Sequence, residues 1–212
     1  MIKLHKNLQA LTKLASKEAI RYPLTGIHVQ ETKSGYSVEA TDGKLLGRVD
    51  GPACNVEELP EAMIVKSTIK AAILPADELH DALKQIKRFN STPVLEGLVI
   101  GLGALDEKIT QTVTLTKDLV PITRPIKHVE GNFPDTNGVM PKGKQDIRID
   151  IDAELMIKLL QVALAISGKG NRVTLDFWTA NKGTGPVRMT TEKNEDGQKF
   201  IGLIMPLVKP KR

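Results

Sequence analysis

The chain has 212 residues, a formal charge of +5 and a pI of about 9.2, with 41% hydrophobic, 26% charged and only 3% aromatic residues. That is enough chain to bury an aliphatic core; the positive excess permits contact with a polyanion, and the scarcity of aromatics argues against nucleic-acid binding by base stacking. A single cysteine, Cys54, excludes an intramolecular disulfide and a cysteine zinc site. The N-terminus MIKLHKNLQ lacks the apolar run of a signal peptide and no stretch is apolar enough to span a bilayer, so a cytoplasmic protein without membrane contact is expected.

An amphipathic stretch over 6–18 predicts a helix, with Leu8, Leu11, Leu14 and Ala15 on one side and Lys6, Gln9, Lys13 and Lys17 mostly on the other. Strands follow at 26–31 and 36–40 around a turn at 32–35, with a hairpin partner at 44–49. GPACNVEELP at 51–60 is a turn-rich connector. A strand at 67–74 then leads into a second helix. Its first turn accepts Pro75 and places Asp77 and Glu78 at the positive end of the dipole. Leu79, Ala82, Leu83 and Ile86 form its apolar stripe, and Lys84, Lys87 and Arg88 lie off that stripe.

Further strands fit 95–101, 109–116 and 120–129, and GNFPDTNGVMPKGK at 131–144 reads as a domain junction. Beyond it come a strand at 146–151 and a helix at 152–167. Asp152 is the expected N-cap, Leu155, Leu159, Leu160 and Ala163 the buried stripe, and Gly168 the end. Strands at 172–178, 187–192 and 200–207 close the pattern, and the tail KPKR is expected to fray. The order strand, helix, antiparallel meander thus recurs three times, near 1–60, 61–141 and 142–212, which predicts an α+β architecture with helices on one face of the sheets.

Chemistry-bearing patterns are few. No phosphate-binding G-x-x-x-x-G-K-[ST] loop occurs, and GLGALDEK at 101–108 lacks the rest of a nucleotide fingerprint. His5, His28, His80 and His128 show no metal spacing. DIRIDID at 146–152 alternates as a strand does; its carboxylates could share one face and hold Mg²⁺, but a charged edge strand that resists aggregation is the favoured reading. No catalytic residue and no cofactor is expected.

Four segments carry a resemblance: RYPLTG at 21–26, ATDGKLLG at 40–47, EGNFPDTNGVMP at 130–141 and LIMPL at 203–207. In this order they are similar to the R-Y-x-L-x-G, A-T-D-G-H-R-L-A, E-G-x-F-P-D-Y-x-x-V-x-P and V-V-M-P-M motifs of the bacterial DNA polymerase III beta subunit, the sliding-clamp family. The resemblance implies a DNA-clamp fold, with 1–141 similar to the family's middle domain as two units and 142–212 similar to the end of its last domain. The N-terminal domain and half of the last domain are unmatched.

The resemblance further implies a non-enzymatic processivity factor for DNA replication. It would encircle double-stranded DNA without sequence preference and tether a DNA polymerase, with polymerase and clamp loader engaged through short peptide motifs. Its peptide groove would use Leu24, Thr41, Gly43, Lys44, Leu45, Leu46, Pro134, Gly138, Val139, Leu203, Met205 and Pro206. Lys44 and Leu45 replace the family's His-Arg pair, Thr136 its tyrosine and Gly138 an arginine, so the groove should be less polar and more open. The helix cations Lys13, Lys17, Lys84, Lys87, Arg88 and Lys158 would face DNA. Three units per chain and twelve in a ring imply four copies, a homo-oligomer located with the nucleoid in the cytoplasm. The alternative is a clamp-derived module that forms no ring and binds or regulates clamp partners. A small metal-dependent enzyme built on the carboxylates of 146–152 is the third candidate.

Overall fold

The computed structural model describes residues 1–89, 92, 95–140, 148–167, 171–177, 185–193 and 198–207. It divides into two compact units, Met1–Met140 and Pro141–Arg212.

In the first unit, β1 (Ile2–Leu4) runs into a 3₁₀ helix over Lys6–Leu14. The α-helix predicted over 6–18 is therefore tighter and shorter. Leu8, Leu11 and Leu14 recur every three residues, which is the 3₁₀ period. Ala15 then turns extended, and a second 3₁₀ stretch, Ala19–Thr25, contains Pro23, which cannot donate a helical hydrogen bond. A meander follows: β2 (Gly26–Thr32), β3 (Gly35–Thr41) and β4 (Leu46–Pro52). After a connector come β5 (Ala71–Pro75), α1 (Ala76–Lys84), and a second meander of β6 (Leu98–Asp106), β7 (Ile109–Leu115) and β8 (Pro121–Lys127).

β5 starts later than the strand predicted at 67–74. The amides of Thr68 and Ile69 both donate to the Leu102 carbonyl and Ser67 Oγ accepts from the Leu102 amide, so this stretch folds over β6 instead of pairing as a strand. β6 likewise starts at Leu98, not 95, and runs on to Asp106 through a register shift between Gly101 and Asp106.

The two sheets have the orders β4-β3-β2-β5 and β1-β6-β7-β8, antiparallel throughout. The first strand of each module thus completes the other module's sheet: β1 pairs with β6, and β5 pairs with β2. One apolar core fills the space between them, with Leu8 and Leu11, Leu79 and Leu83, and inward residues of both sheets such as Ile27, Val38, Leu74 and Ile100. A second cluster, including Leu59, Met63, Val99 and Leu115, brings connector residues together with residues of β6 and β7. All four predicted stripe residues of α1, Leu79, Ala82, Leu83 and Ile86, are buried.

The second unit holds α2 (Ala153–Ser167) and a sheet ordered β11-β10-β9, made of β9 (Val173–Phe177), β10 (Val187–Thr191) and β11 (Ile201–Ile204). Asp152 caps α2 as expected, its Oδ1 accepting from the amides of Glu154 at 2.9 Å and Leu155 at 3.1 Å. Ala163 is fully buried against the sheet, and Leu159 packs over Gly202. Leu155, placed in the buried stripe by sequence, is 48% exposed. It is eight residues from Ala163, which rotates it roughly 80° onto a flank of the helix. The strand predicted at 146–151 is not a strand over its described part, 148–151. Residues 141–147, Gly168, Lys169, Trp178 and the KPKR tail lie outside the described residues.

Leu83 is fully buried between helix and sheets. Leu83→Ala should therefore lower unfolding stability of the chain by about 2–5 kcal/mol, read from the denaturant midpoint at unchanged slope.

Candidate functional site

The segment ATDGKLLG makes a four-residue loop between β3 and β4, closed by the Thr41–Leu46 pair. Thr41 Oγ1 accepts from the Gly43 amide at 3.0 Å and donates to the Leu45 carbonyl at 2.6 Å. Asp42 Oδ1 accepts from the amides of Lys44 at 2.8 Å and Leu45 at 3.0 Å. These two amide bonds hold the Asp42 carboxyl below the usual carboxylate range. Gly43 sits at φ 88°, a left-handed conformation that glycine tolerates best. Each letter of Thr-Asp-Gly is thus used by the turn.

The adjacent leucines serve different surroundings. Gly47 lies against the 3₁₀ helix, where an added Cβ would meet Leu14 Cδ1 at 2.4 Å and Leu11 Cδ1 at 2.8 Å. Leu46 precedes it on the opposite face, with Thr41, and Leu45 stays in the loop, 45% exposed. One face of the hairpin thereby receives the core, while on the other Glu39 and Thr41 are buried and Leu46 is half-buried.

That outer face is tied to the segment after β8 by a buried carboxylate. His28, Glu39 and Arg48 lie directly across from one another on β2, β3 and β4. Glu39 is only 4% exposed. Thr136 Oγ1 donates to Glu39 Oε1 at 2.7 Å, and Arg48 Nη1 lies 3.4 Å from the same oxygen. His28 Nδ1 is 3.2 Å from Glu39 Oε2, and its ring stacks on Phe133 with centroids 5.0 Å apart. Arg48 also donates to Asn137 Oδ1 at 3.1 Å. The cost of burying Glu39 is offset by these partners, and together they fix residues 133–137 against the sheet.

Between hairpin and segment lies a pocket of about 320 Å³. Leu45, Leu46, Pro134 and Val139 supply apolar walls, and Thr41, Gly43 and Lys44 the hairpin side. Thr136, which the resemblance placed at a tyrosine position, and Asp135 line it as well; Asp135 was not anticipated, nor were Glu39, Arg48, His28 and Phe133, which hold this segment to the sheet. The available signal was alternation, since Ser37, Glu39 and Thr41 place polar residues on one face of an otherwise apolar strand. Leu24 and Gly138 do not line the pocket. Leu24 is half-buried in the second 3₁₀ stretch, its carbonyl accepting from the Ser16 amide at 2.8 Å, and Gly138 belongs to the short 3₁₀ turn Thr136–Gly138 that leads into Val139. Leu203, Met205 and Pro206 belong to the second unit. Alternation along β11 turns Leu203 away from α2, and both Leu203 and Met205 are exposed.

The six cations expected at DNA are all exposed, in mixed company. Lys13 and Lys17 border a depression shared with Glu18, Asp42 and Lys44. The exposed face of α1 carries Asp77, Glu78 and Asp81 beside Lys84, a mixed charge, and Lys87 and Arg88 lie beyond the helix end. Lys158 shares the polar strip of α2 with Glu154 and Gln161. Among the described residues no group of three metal-ligating side chains gathers, and Asp152 of the acidic run is used as a helix cap.

No family model and no curated protein sequence matches the chain. Solved structures do match. The DNA polymerase sliding clamp of Bacillus subtilis aligns with a TM-score of 0.69 at 19% identity, over 97% of this chain and 48% of that one. The DNA polymerase III beta chain of Streptococcus pneumoniae gives 0.68 at 17% identity, over 97% and 48%. The DNA polymerase III beta subunit sliding clamp of Bartonella birtlesii, bound to griselimycin, gives 0.64 at 21% identity, over 99% and 51%. The fold is that of the sliding clamps, and the chain spans about half the length of the solved chains it matches.

Thr136→Val removes the shortest hydrogen bond to a buried carboxylate and should cost about 1–3 kcal/mol of stability in a denaturant titration. A pH titration of the turn should follow Asp42. Its depressed pKa stabilises the turn fully above the unfolded value, near 3.9, and this is lost as pH falls through the lower folded value. The amide resonances of Lys44 and Leu45 should shift over that acid window, and Asp42→Asn should abolish the titration.

Proposed function

We propose that this chain is a clamp element for DNA replication, and that its outer-face pocket binds a short apolar peptide motif of a partner protein. The observation that carries the proposal is the pocket itself, an open apolar recess walled by Leu45, Leu46, Pro134 and Val139 on the sheet face opposite the helices, in a chain with the sliding-clamp fold. A leucine- or phenylalanine-like anchor buried there contributes on the order of 1.5–3 kcal/mol before ordering costs. A few such anchors give affinities of about micromolar strength, weak enough for a polymerase and a clamp loader to exchange. Leu203, Met205 and Pro206 offer further exposed or half-exposed apolar surface on the second unit.

In this proposal the chain acts by binding, not catalysis, in the cytoplasm. Lys13, Lys17, Lys84, Lys87, Arg88 and Lys158 meet duplex phosphates without reading bases. A ring of twelve modules needs four copies at three modules each. One observation favours the second reading, a non-ring module that binds or regulates clamp partners: α1 exposes three carboxylates against one lysine, which repels a polyanion.

The pocket is tested by Leu46→Asp together with Val139→Asp. Binding of a fluorescent peptide with leucine and phenylalanine anchors should weaken by roughly tenfold or more at an unchanged melting temperature; undiminished binding would remove the pocket from the proposal. Retention on circular DNA, lost when the circle is cut and reduced by Lys13→Glu with Lys17→Glu, is expected for a ring. Peptide binding without such retention would establish the second reading instead.

A further inference from the structure

The first unit shows how a module of this protein is completed, and the second unit contains only half of the arrangement. In the first unit the 3₁₀ helix Lys6–Leu14 and α1 lie side by side. Gln9 Nε2 and Thr12 Oγ1 are each 2.9 Å from a ring nitrogen of His80, and Lys6 reaches the Ile86 carbonyl. Neither helix exposes a large apolar side chain. Each sheet is finished by a strand from the other module, added to the first strand of a meander: β5 on β2, β1 on β6.

Among the described residues the second unit has one helix on one sheet. The equivalent of β2 and β6 is β9, and among the described residues β9 is the open edge of its sheet. Leu175 and Phe177 lie across from Met189 and Val187, hence on the face that α2 covers. Met189 and Val187 are buried there, whereas Leu175 and Phe177 remain 39% and 43% exposed. α2 itself is apolar on both flanks. Leu155 and Val162, seven residues apart, are exposed on one, and Ile157 and Leu164 on the other; the polar strip of Glu154, Lys158 and Gln161 is narrow.

The stretch 148–151 stands where β5 stands in the first unit. The Val129 amide, just past β8, donates to the Ile73 carbonyl of β5 at 2.8 Å; the Leu207 amide, just past β11, donates to the Asp150 carbonyl at 2.7 Å. Ile73 precedes the first residue of α1, Ala76, by three positions, and Asp150 precedes the first residue of α2, Ala153, by three. The stretch has the backbone placement of an exchanged strand, with no place in its own three-stranded sheet.

We infer that a second copy of this chain completes the second unit: 148–151 of each copy adds to the β9 edge of the other, and the two α2 helices pack side by side over Leu175 and Phe177. The interface is isologous, since one copy's donor strand and acceptor edge are matched by the other's under a two-fold axis. A second copy is the fitting occupant because the arrangement lacks what the copy itself holds, a helix with an apolar flank and a strand directly before it. The exposed flanks and the unguarded edge, whose only charge is Asp176, are otherwise an aggregation liability. The inference concerns the second unit alone and stands whether or not the first unit's pocket takes a peptide.

The experiment is sedimentation of the full chain across a micromolar concentration series. Two copies, or an even multiple of two, are expected. Of the two flank variants, Leu155→Glu with Val162→Glu and Ile157→Glu with Leu164→Glu, at least one should halve the mass, weakening association on the order of a hundredfold or more, while Lys158→Glu leaves the mass unchanged. Because all four positions are exposed, circular dichroism of the variants should match the parent chain, and the variant that dissociates should melt as the parent does when diluted below its association range. Hydrogen exchange at the amides of β9 should slow as association rises and return in the flank variant that dissociates. A single chain at every concentration, an assembly that survives both flank variants, or association without protection of β9 would each overturn the inference.

Discussion

Each sheet of the first unit is finished by a strand that the other module supplies, β1 on β6 and β5 on β2. This exchange makes the two modules one folding unit, because neither can complete its hydrogen-bond ladder or cover its apolar face alone. It also explains why one core cluster contains residues of both sheets and both helices. Such long-range pairing is costly to form, as a stretch of chain separates β2 from β5 and β1 from β6 before either pair closes. What offsets the cost is the shared core, with side chains such as Leu4, Ile27, Leu74 and Leu83 fully buried.

The pocket inherits its rigidity from that arrangement. β5 holds β2 in place, β2 presents His28, and His28 meets Glu39 beside Arg48 in a row across three strands. A carboxylate so enclosed needs partners, and the segment after β8 provides Thr136 while the sheet provides Arg48. The apolar recess therefore lies between two walls joined by a polar network rather than by packing alone. This leaves Leu45 and Val139 exposed at the walls instead of collapsed onto one another. The turn chemistry of Thr41, Asp42 and Gly43 plays the same part locally, consuming the polar groups of the loop so that its leucines face the recess.

The hairpin was legible because its determinants are local: Thr-Asp-Gly closes a turn, and alternation gives the strands on either side. Most meander strands and the stripe of α1 were legible for the same reason. The network under the pocket was not, because Glu39, Arg48 and Thr136 are far apart in sequence and each is unremarkable there. The type of the first helix was missed although its period of three was visible in Leu8, Leu11 and Leu14; an amphipathic pattern over so short a span fits both helical periods until Ala15 breaks it. Leu155 was misplaced because α2 is apolar around most of its circumference, and periodicity cannot choose a buried side on a helix with three apolar faces.

That circumference separates the two units physically. In the first, neither the 3₁₀ helix Lys6–Leu14 nor α1 turns a large apolar side chain to solvent, and the surface of α1 is decided by Asp77, Glu78, Asp81 and Lys84. In the second, the residues turned to solvent on α2 include Leu155, Ile157, Val162 and Leu164. Water is a poor contact for such a surface, and the small sheet β11-β10-β9 leaves it uncovered. If the order strand, helix, meander marks three modules, the pairing between copies inferred above leaves none of them without its complement. Two such chains would hold six modules in three pairs; the solved clamp chains are about twice as long as this one.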